Sequence, residues 1–393
     1  MRYRLRSSIV SLCVAGASVA FSGAYAPSHH ASRSIQDTYP TFETVVPLES
    51  TSETSANVSI GDVDGDGRLD IVLAKGRHWP LVDRVLLGDG SGHFAKGYDL
   101  GTASDRSYSG HLVDLDGNGS LDVVVSNDAP DPKLVYLNDG KGHFRMASTF
   151  GRPEWPTRNA TVVDVDADGR PDIVVANRGP IGKTANHICF NKGGARFDAD
   201  CVAFSHDPAT TIAAADFNHD GMIDLAVPHR DGGQSRVYLG GPRGSFALER
   251  TIPFGPSNAH IRMSQAADID GDGLLDIVAI DETSGTAIYF GKKDGTFSDA
   301  LTVGGATRSP YALLVRDLNG DGKPDVIVGN VEAPSAIYYN DGSGRRFHEA
   351  HFGDAKGTVY GFDVADVNGD GQLDIAAARS EAANVLYLGR RRR

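Results

Sequence analysis

Apolar residues along this chain come in short unbroken bursts, not in a helical rhythm. "IVLA" (71–74), "VVVS" (123–126), "IVVA" (173–176), "LAVP" (225–228), "IVAI" (277–280), "VIVG" (326–329) and "IAAA" (375–378) return about every fifty residues. Bursts this short, without alternation, predict strands covered on both faces. A variable loop follows each, then another predicted strand such as "RVLLG" (84–88), "LVYLN" (134–138), "RVYLG" (236–240), "AIYFG" (287–291) or "AIYYN" (336–340). A glycine-rich turn and a phenylalanine come next, at Phe94, Phe144, Phe197, Phe246, Phe297 and Phe347. Each unit holds about four strands in about fifty residues, the size of one propeller blade. The predicted fold is all-β, a seven-bladed β-propeller.

A polar stretch precedes every burst, beginning with "DVDGDGRLD" at residues 62–70. Its first acids fall at 62, 114, 164, 216, 268, 317 and 366, in steps of 49 to 52. Positions 1, 3, 5 and 9 are always Asp or Asn, and position 6 is always Gly, which suggests a turn with positive φ. Position 7 varies (Arg68, Ser120, Arg170, Met222, Leu274, Lys323, Gln372), so only its backbone carbonyl is available as a common ligand. Oxygen donors at 1, 3, 5, 7 and 9 make a hard-cation site that suits calcium better than magnesium. Soft metals would want His or Cys, absent from these columns. An EF-hand needs Glu at position 12, where this chain has Leu73, Val125, Val175, Val227, Ala279, Val328 or Ala377.

Charge follows the loops. The formal net charge is −13, with 51 acids against 38 Lys and Arg. The loops hold 24 of those acids, leaving 27 against 38 elsewhere, so seven divalent ions would bring the chain to about +1. The acidity is therefore a metal signature and says little about partners. Basic residues form no stripe, which argues against nucleic acid.

The pattern "GDVDGDGRLDIVLA" followed by "VYLNDGKGHF" resembles the FG-GAP or VCBS repeat of integrin-α-type β-propellers, over about residues 40–389. The resemblance implies up to seven Ca²⁺ ions. The ligands would be Asp62, Asp64, Asp66 and Asp70 in blade one, and Asp114, Asp116, Asn118 and Asp122 in blade two. Blade three would supply Asp164, Asp166, Asp168 and Asp172; blade four Asp216, Asn218, Asp220 and Asp224; blade five Asp268, Asp270, Asp272 and Asp276. Blade six would supply Asp317, Asn319, Asp321 and Asp325, and blade seven Asp366, Asn368, Asp370 and Asp374. Ala167 and His219 replace glycine at position 4, which supplies no side-chain ligand. Phe42 stands 20 residues before Asp62, matching the 19 to 22 of the other turn phenylalanines. "TFETVVPL" is therefore expected to supply the last strand of blade seven and close the ring, removing an open edge.

The N-terminus reads as a signal peptide over residues 1–26. Arg2, Arg4 and Arg6 precede an apolar run from Ile9 to Phe21, too short to span a bilayer, and Ala24-Tyr25-Ala26 offers a small-residue cleavage site. Residues 27–39 read as a linker and 390–393 as a basic tail. The expectation is an exported protein, secreted, periplasmic or on the cell surface, with no membrane span. Cys189 and Cys201 remain after cleavage and bracket a predicted hairpin, where a disulfide suits an exported chain.

In integrin-like propellers the calcium loops occupy one face of the disc and partners use the other. The connections expected on that other face carry Arg77, His78, Trp79, Arg106, Tyr108, Trp155, Arg158, Arg178, His229, Arg230, His260, Arg262, Arg308, Tyr311 and Tyr360. Aromatics beside arginines suit sugars, carboxylates or a protein hot spot. Nucleophile elbows, phosphate loops and zinc-protease motifs are missing, and "HEAH" (348–351) has the wrong spacing for the last. The expected function is a binding or adhesion module, a monomer meeting an extracellular protein or glycan. The alternatives are a polysaccharide lyase or other carbohydrate-active enzyme, and a structural component of an envelope or matrix assembly.

Overall fold

The computed structural model describes residues 39–305 and 309–391. The expected signal peptide, most of the expected linker, and Arg308 lie outside the described residues. Seven four-stranded antiparallel sheets form a ring. Six are simple meanders, as in blade one with Ser55–Gly61, Asp70–Lys75, Arg84–Leu87 and Lys96–Asp99. In the seventh, Thr358–Ala365, Asp374–Ser380 and Val385–Arg391 are joined by Pro40–Pro47 as the outermost strand.

The unbroken apolar bursts form the second strand of every blade, and all seven of these strands are buried from end to end. Alternate residues serve different neighbours. Ile71 and Leu73 pack against Ala376, Ala378, Leu386 and Leu388 of blade seven, while Val72 packs with Val123 and Val125 of blade two. Both faces of each sheet are thus interior, which is why alternation is absent. Each fully buried Val, Leu or Ile contributes about 1.5–3 kcal/mol. The core is seven such inter-blade layers, and each receives one turn phenylalanine, with Phe42 taking its place in the blade six–seven layer.

Ring closure is antiparallel, with Thr44 opposite Leu388 and Val46 opposite Leu386. The pairing continues to Arg390 and Arg391, opposite Thr41 and Pro40, so the last strand extends two residues into the segment read as a basic tail. Backbone pairing accounts for this, reinforced by the Arg391 guanidinium, which donates to the Asn319 carbonyl at 2.9 Å. Cys189 and Cys201 are joined as a disulfide with Cα atoms 4.6 Å apart. Among the described residues, no helix is long and apolar enough to cross a membrane.

Candidate functional site

The first strand of each blade lines the central channel and runs straight into an acidic loop. In blade one, Asp62 accepts from the Gly65 and Gly67 amides at 2.8 and 2.9 Å. Asp64 and Asp66 each accept the amide two residues on. Each oxygen keeps a second lone pair. The glycines at position 6 have φ of 81–87°, as the sequence required, and Ala167 and His219 hold φ near 60° at position 4 without glycine. Carboxylate oxygens of Asp62, Asp64 and Asp66 lie within 4.8 Å of one another, as do those of Asp114, Asp116 and Asp122, of Asp164, Asp166 and Asp172, and of Asp268, Asp270 and Asp276. Ligands at 2.3–2.6 Å from a calcium ion can be at most about 5 Å apart, so these groups fit a cation. Asp270 Oδ1 is buried with no hydrogen-bond partner, an acceptor that a cation would satisfy.

Position 9 has a second task. Asp70 is buried and accepts the Val63 amide on one oxygen and the Gly88 amide on the other, both at 2.9 Å. The same pair of bonds recurs at Asp122, Asp172, Asp224, Asp276, Asp325 and Asp374. Each staples its loop to the third strand of its own blade. Burial, then the loop's other acids, pushes these carboxyls up, to about 6 at Asp172, Asp224, Asp276 and Asp374 and about 7 at Asp325. A divalent cation would offset that crowding of charge. At position 7 the side chains of Arg68 and Arg170 turn onto Asp66 and Asp168. The next blade also clamps the loop: Asn138 donates to the Val63 carbonyl at 2.7 Å, Asn191 to Leu115 at 3.0 Å, and Asn340 to Ile269 at 2.7 Å.

The other end of the channel is built by one column of residues, six positions before each first aspartate: Ala56, Tyr108, Arg158, Thr210, Arg262, Tyr311 and Tyr360. In six blades this residue is the extra one of a β-bulge, skipped by the ladder. Blade four begins its strand only at Ala213. A bulged residue makes no ladder bond and can be re-aimed. Arg77 occupies the place that Ala56 leaves open. It holds φ of 50°, its amide donates to the Ser107 carbonyl, and its guanidinium lies 3.6 Å from the Tyr360 ring centre and 5.4 Å from that of Tyr108. Arg158 continues the belt over Tyr108 at 4.6 Å and pairs with Asp128 at 2.5 Å. Arg262 lies 3.3 Å over Tyr311, whose ring meets Tyr360 edge-on at 4.8 Å. Arg230 stands 6.0 Å from Tyr311 and pairs with Glu282. Tyr108 and His78 meet edge-on, with Tyr108 Oη 3.3 Å from His78 Nδ1. Burial, Arg77 and Arg158 push His78 down. The channel behind the belt encloses about 690 Å³.

The model of the FG-GAP-like repeat matches six times, over residues 62–125, 114–175, 164–227, 216–279, 268–328 and 317–377. The chain belongs to the FG-GAP-like repeat family. A search of curated proteins gave no match. Solved structures share the fold. An Agrocybe aegerita lectin, solved for its specific recognition of non-reducing terminal N-acetylglucosamine, is 21% identical over 85% of this chain and 87% of its own, with a TM-score of 0.55. The BP39L lectin of Burkholderia pseudomallei is 13% identical over 86% and 96%, with a TM-score of 0.66. BBS1N, solved in complex with ARL6DN, is 14% identical over 89% and 97%, with a TM-score of 0.61. At these identities the likeness is one of fold.

In this FG-GAP-like propeller, eight of the fifteen sequence candidates meet at the belt: Arg77, His78, Tyr108, Arg158, Arg230, Arg262, Tyr311 and Tyr360. Six described candidates do not join it. Trp79 is 70% exposed. Trp155 stacks on His187 with ring centres 3.9 Å apart. Arg106 is tied to Asp131 and Arg178 to Asp231. His229 is buried, and His260 contacts the Arg230 carbonyl at 3.0 Å. Sequence reasoning missed Asp128, Glu282 and the two threonines of blade four, Thr210 and Thr211, whose hydroxyls are buried without partners. The six-residue offset before each first aspartate was the available signal for Thr210.

Proposed function

We propose that this protein is an exported, calcium-stabilised FG-GAP-like propeller that binds an extracellular protein or glycan at the belt end of its channel. The belt is the observation that carries the reading: bulges in five blades aim large polar side chains (Tyr108, Arg158, Arg262, Tyr311 and Tyr360) at one opening. The acidic loops lie at the far end of the same strands, roughly 20 Å away for seven residues at ~3.3 Å each. Their oxygen-only donor sets suit calcium, which would be held by the aspartates and asparagines at positions 1, 3, 5 and 9 with the position 7 carbonyl. Its part is structural, since it neutralises carboxylates that also fasten the loops to their strands. At ten times its dissociation constant each ion adds about 1.4 kcal/mol, and seven add about 10 kcal/mol. Chelation should therefore lower the melting temperature by many degrees, and an unchanged melt in excess EDTA overturns the calcium reading. A glycan array with calcium-loaded protein, followed by pull-downs, tests the binding reading. It fails if nothing retained depends on the belt residues.

A second reading, cleavage of a polysaccharide, draws on Tyr311. Burial pushes its hydroxyl up, but Arg262, Arg77 and Arg230 outweigh this and bring it below the ordinary tyrosine range. A tyrosine so placed suits a general base. New chain ends on the array would favour this reading over simple binding.

A further inference from the structure

Arg77 is 8% exposed, and its Nε has no hydrogen-bond partner. Among the described residues no carboxylate forms an ion pair with it; its only neighbours of that strength are the rings of Tyr108 and Tyr360. Arg262 is 5% exposed. Its Nε donates to the Tyr311 carbonyl at 3.0 Å, but its Nη1 makes no hydrogen bond and lies 3.5 Å from Glu282, which Arg230 already engages. Both guanidiniums approach the ring of Tyr360, from 3.6 and 5.9 Å. A buried cation left without its counter-charge is strongly unfavourable. Arg77 is such a cation, and Arg262 has only a share of Glu282, so the pair at the mouth of a roomy channel makes a site for an anion.

The surroundings narrow the anion. Guanidinium is planar and pairs bidentately with a carboxylate. Tyr108, Tyr311 and Tyr360 each have an arginine over one face. Ala56 is the only aliphatic residue among the seven belt-column positions. Tyr and Arg also serve protein hot spots, so a peptide carboxylate is the competitor that the test must separate. Blade four, where the belt lacks a large residue, lines the channel with Thr210 and Thr211, whose buried hydroxyls have no partner. A ligand with one carboxylate and several hydroxyls matches this set.

We infer that the belt binds an acidic sugar, with a uronate carboxylate held between Arg77 and Arg262 and neighbouring hydroxyls turned toward Thr210 and Thr211. This rests on the belt being the ligand face. The test is calorimetric titration of the calcium-loaded protein with trigalacturonate, with neutral galactotriose, and with a short acidic peptide ending in a free carboxylate. Trigalacturonate should bind at least tenfold more tightly than either, and more weakly as salt rises. Arg77→Asn, whose side chain tolerates the left-handed backbone, should weaken it ten- to hundredfold without lowering the melting temperature. Thr210→Val should weaken it several-fold, and Arg145→Gln, on the outer edge of blade two, should not. Equal binding of galactotriose, or tighter binding of the peptide, overturns the acidic-sugar assignment and leaves the ligand face standing. If all three are ignored while an array ligand is lost in Arg77→Asn, the assignment fails and the face survives. If no ligand responds to any belt variant, both fail.

Discussion

Replacing Asp122 separates the two tasks assigned to the ninth loop position. Its carboxylate is fully buried and accepts the Leu115 and Asn138 amides, each at 2.9 Å. Asp122→Ala strands both amides in the interior. Hydrogen bonds to a charged acceptor are worth about 1.5–3 kcal/mol each, so the local cost is about 3–6 kcal/mol. Asp122→Asn keeps one acceptor and sets an amine against the other N–H, so it should lose about half as much. Hydrogen exchange reads these amides individually, because local opening follows local free energy. In EDTA, where no ion contributes, Leu115 and Asn138 should exchange at least ~100-fold faster in Asp122→Ala, since 1.4 kcal/mol is a factor of ten. In calcium the difference should widen, because Asp114 and Asp116 lose their third partner. Exchange unchanged within threefold in EDTA refutes the staple. An effect present only in calcium would mean that the carboxylate serves the ion alone.

Burial pushes His111 and His187 down to about 4, so the fold holds them neutral while the unfolded chain titrates near 6.5. Between those values the unfolded state binds more protons, so their stability is fully present above about pH 6.5 and is lost as pH falls through about 4. In EDTA the raised position 9 carboxyls contribute the opposite slope, so the readout is a difference: on acidification across that window the melting temperature should fall less, or rise more, in His111→Gln/His187→Gln than in the parent; identical slopes would reject the assignment. A Cβ added at Gly344 would lie 2.7 Å from the Asp270 Cβ and 2.9 Å from its Cα, so Gly344→Ala should displace loop five. Calcium titration should then show one site weakened tenfold or more, and seven unaltered sites would contradict the clamp from the next blade. Phe42 is 4% exposed and meets Phe352 at 5.7 Å, so Phe42→Ala should lose about 3–5 kcal/mol in urea unfolding. A midpoint equal to the parent's would show that closure does not depend on it.

The blades were legible because their constraints repeat in one residue type each. Every second strand must bury both faces, so it is uniformly apolar, and every loop turn needs a left-handed residue, so position 6 is always glycine. The double role of position 9 was hidden because stapling and ligation both ask for a carboxylate. The belt was legible in part, since its arginines and tyrosines stood among the candidates, but the column that aligns it was hidden for the opposite reason. Its column holds Ala, Tyr, Arg, Thr, Arg, Tyr and Tyr, with nothing common to align on, and a bulge leaves no mark in composition. Of the two tryptophans, Trp79 is exposed, and Trp155 is engaged with His187 near an inter-blade seam, where a large ring gains from packing.

The bulges also bear on how such a protein changes over time. A residue that makes no ladder bond can be exchanged without disturbing the sheet that carries it. The belt is therefore a set of seven sockets, one per blade, wired to a scaffold that hardly notices what is plugged in. Drift in the sockets would alter the chemistry of the opening while the apolar layers and acidic loops stay under separate selection. Two copies of this architecture could thus diverge quickly in what they recognise and remain superimposable in everything else. A designer could rewrite the same seven positions as a library without touching the core.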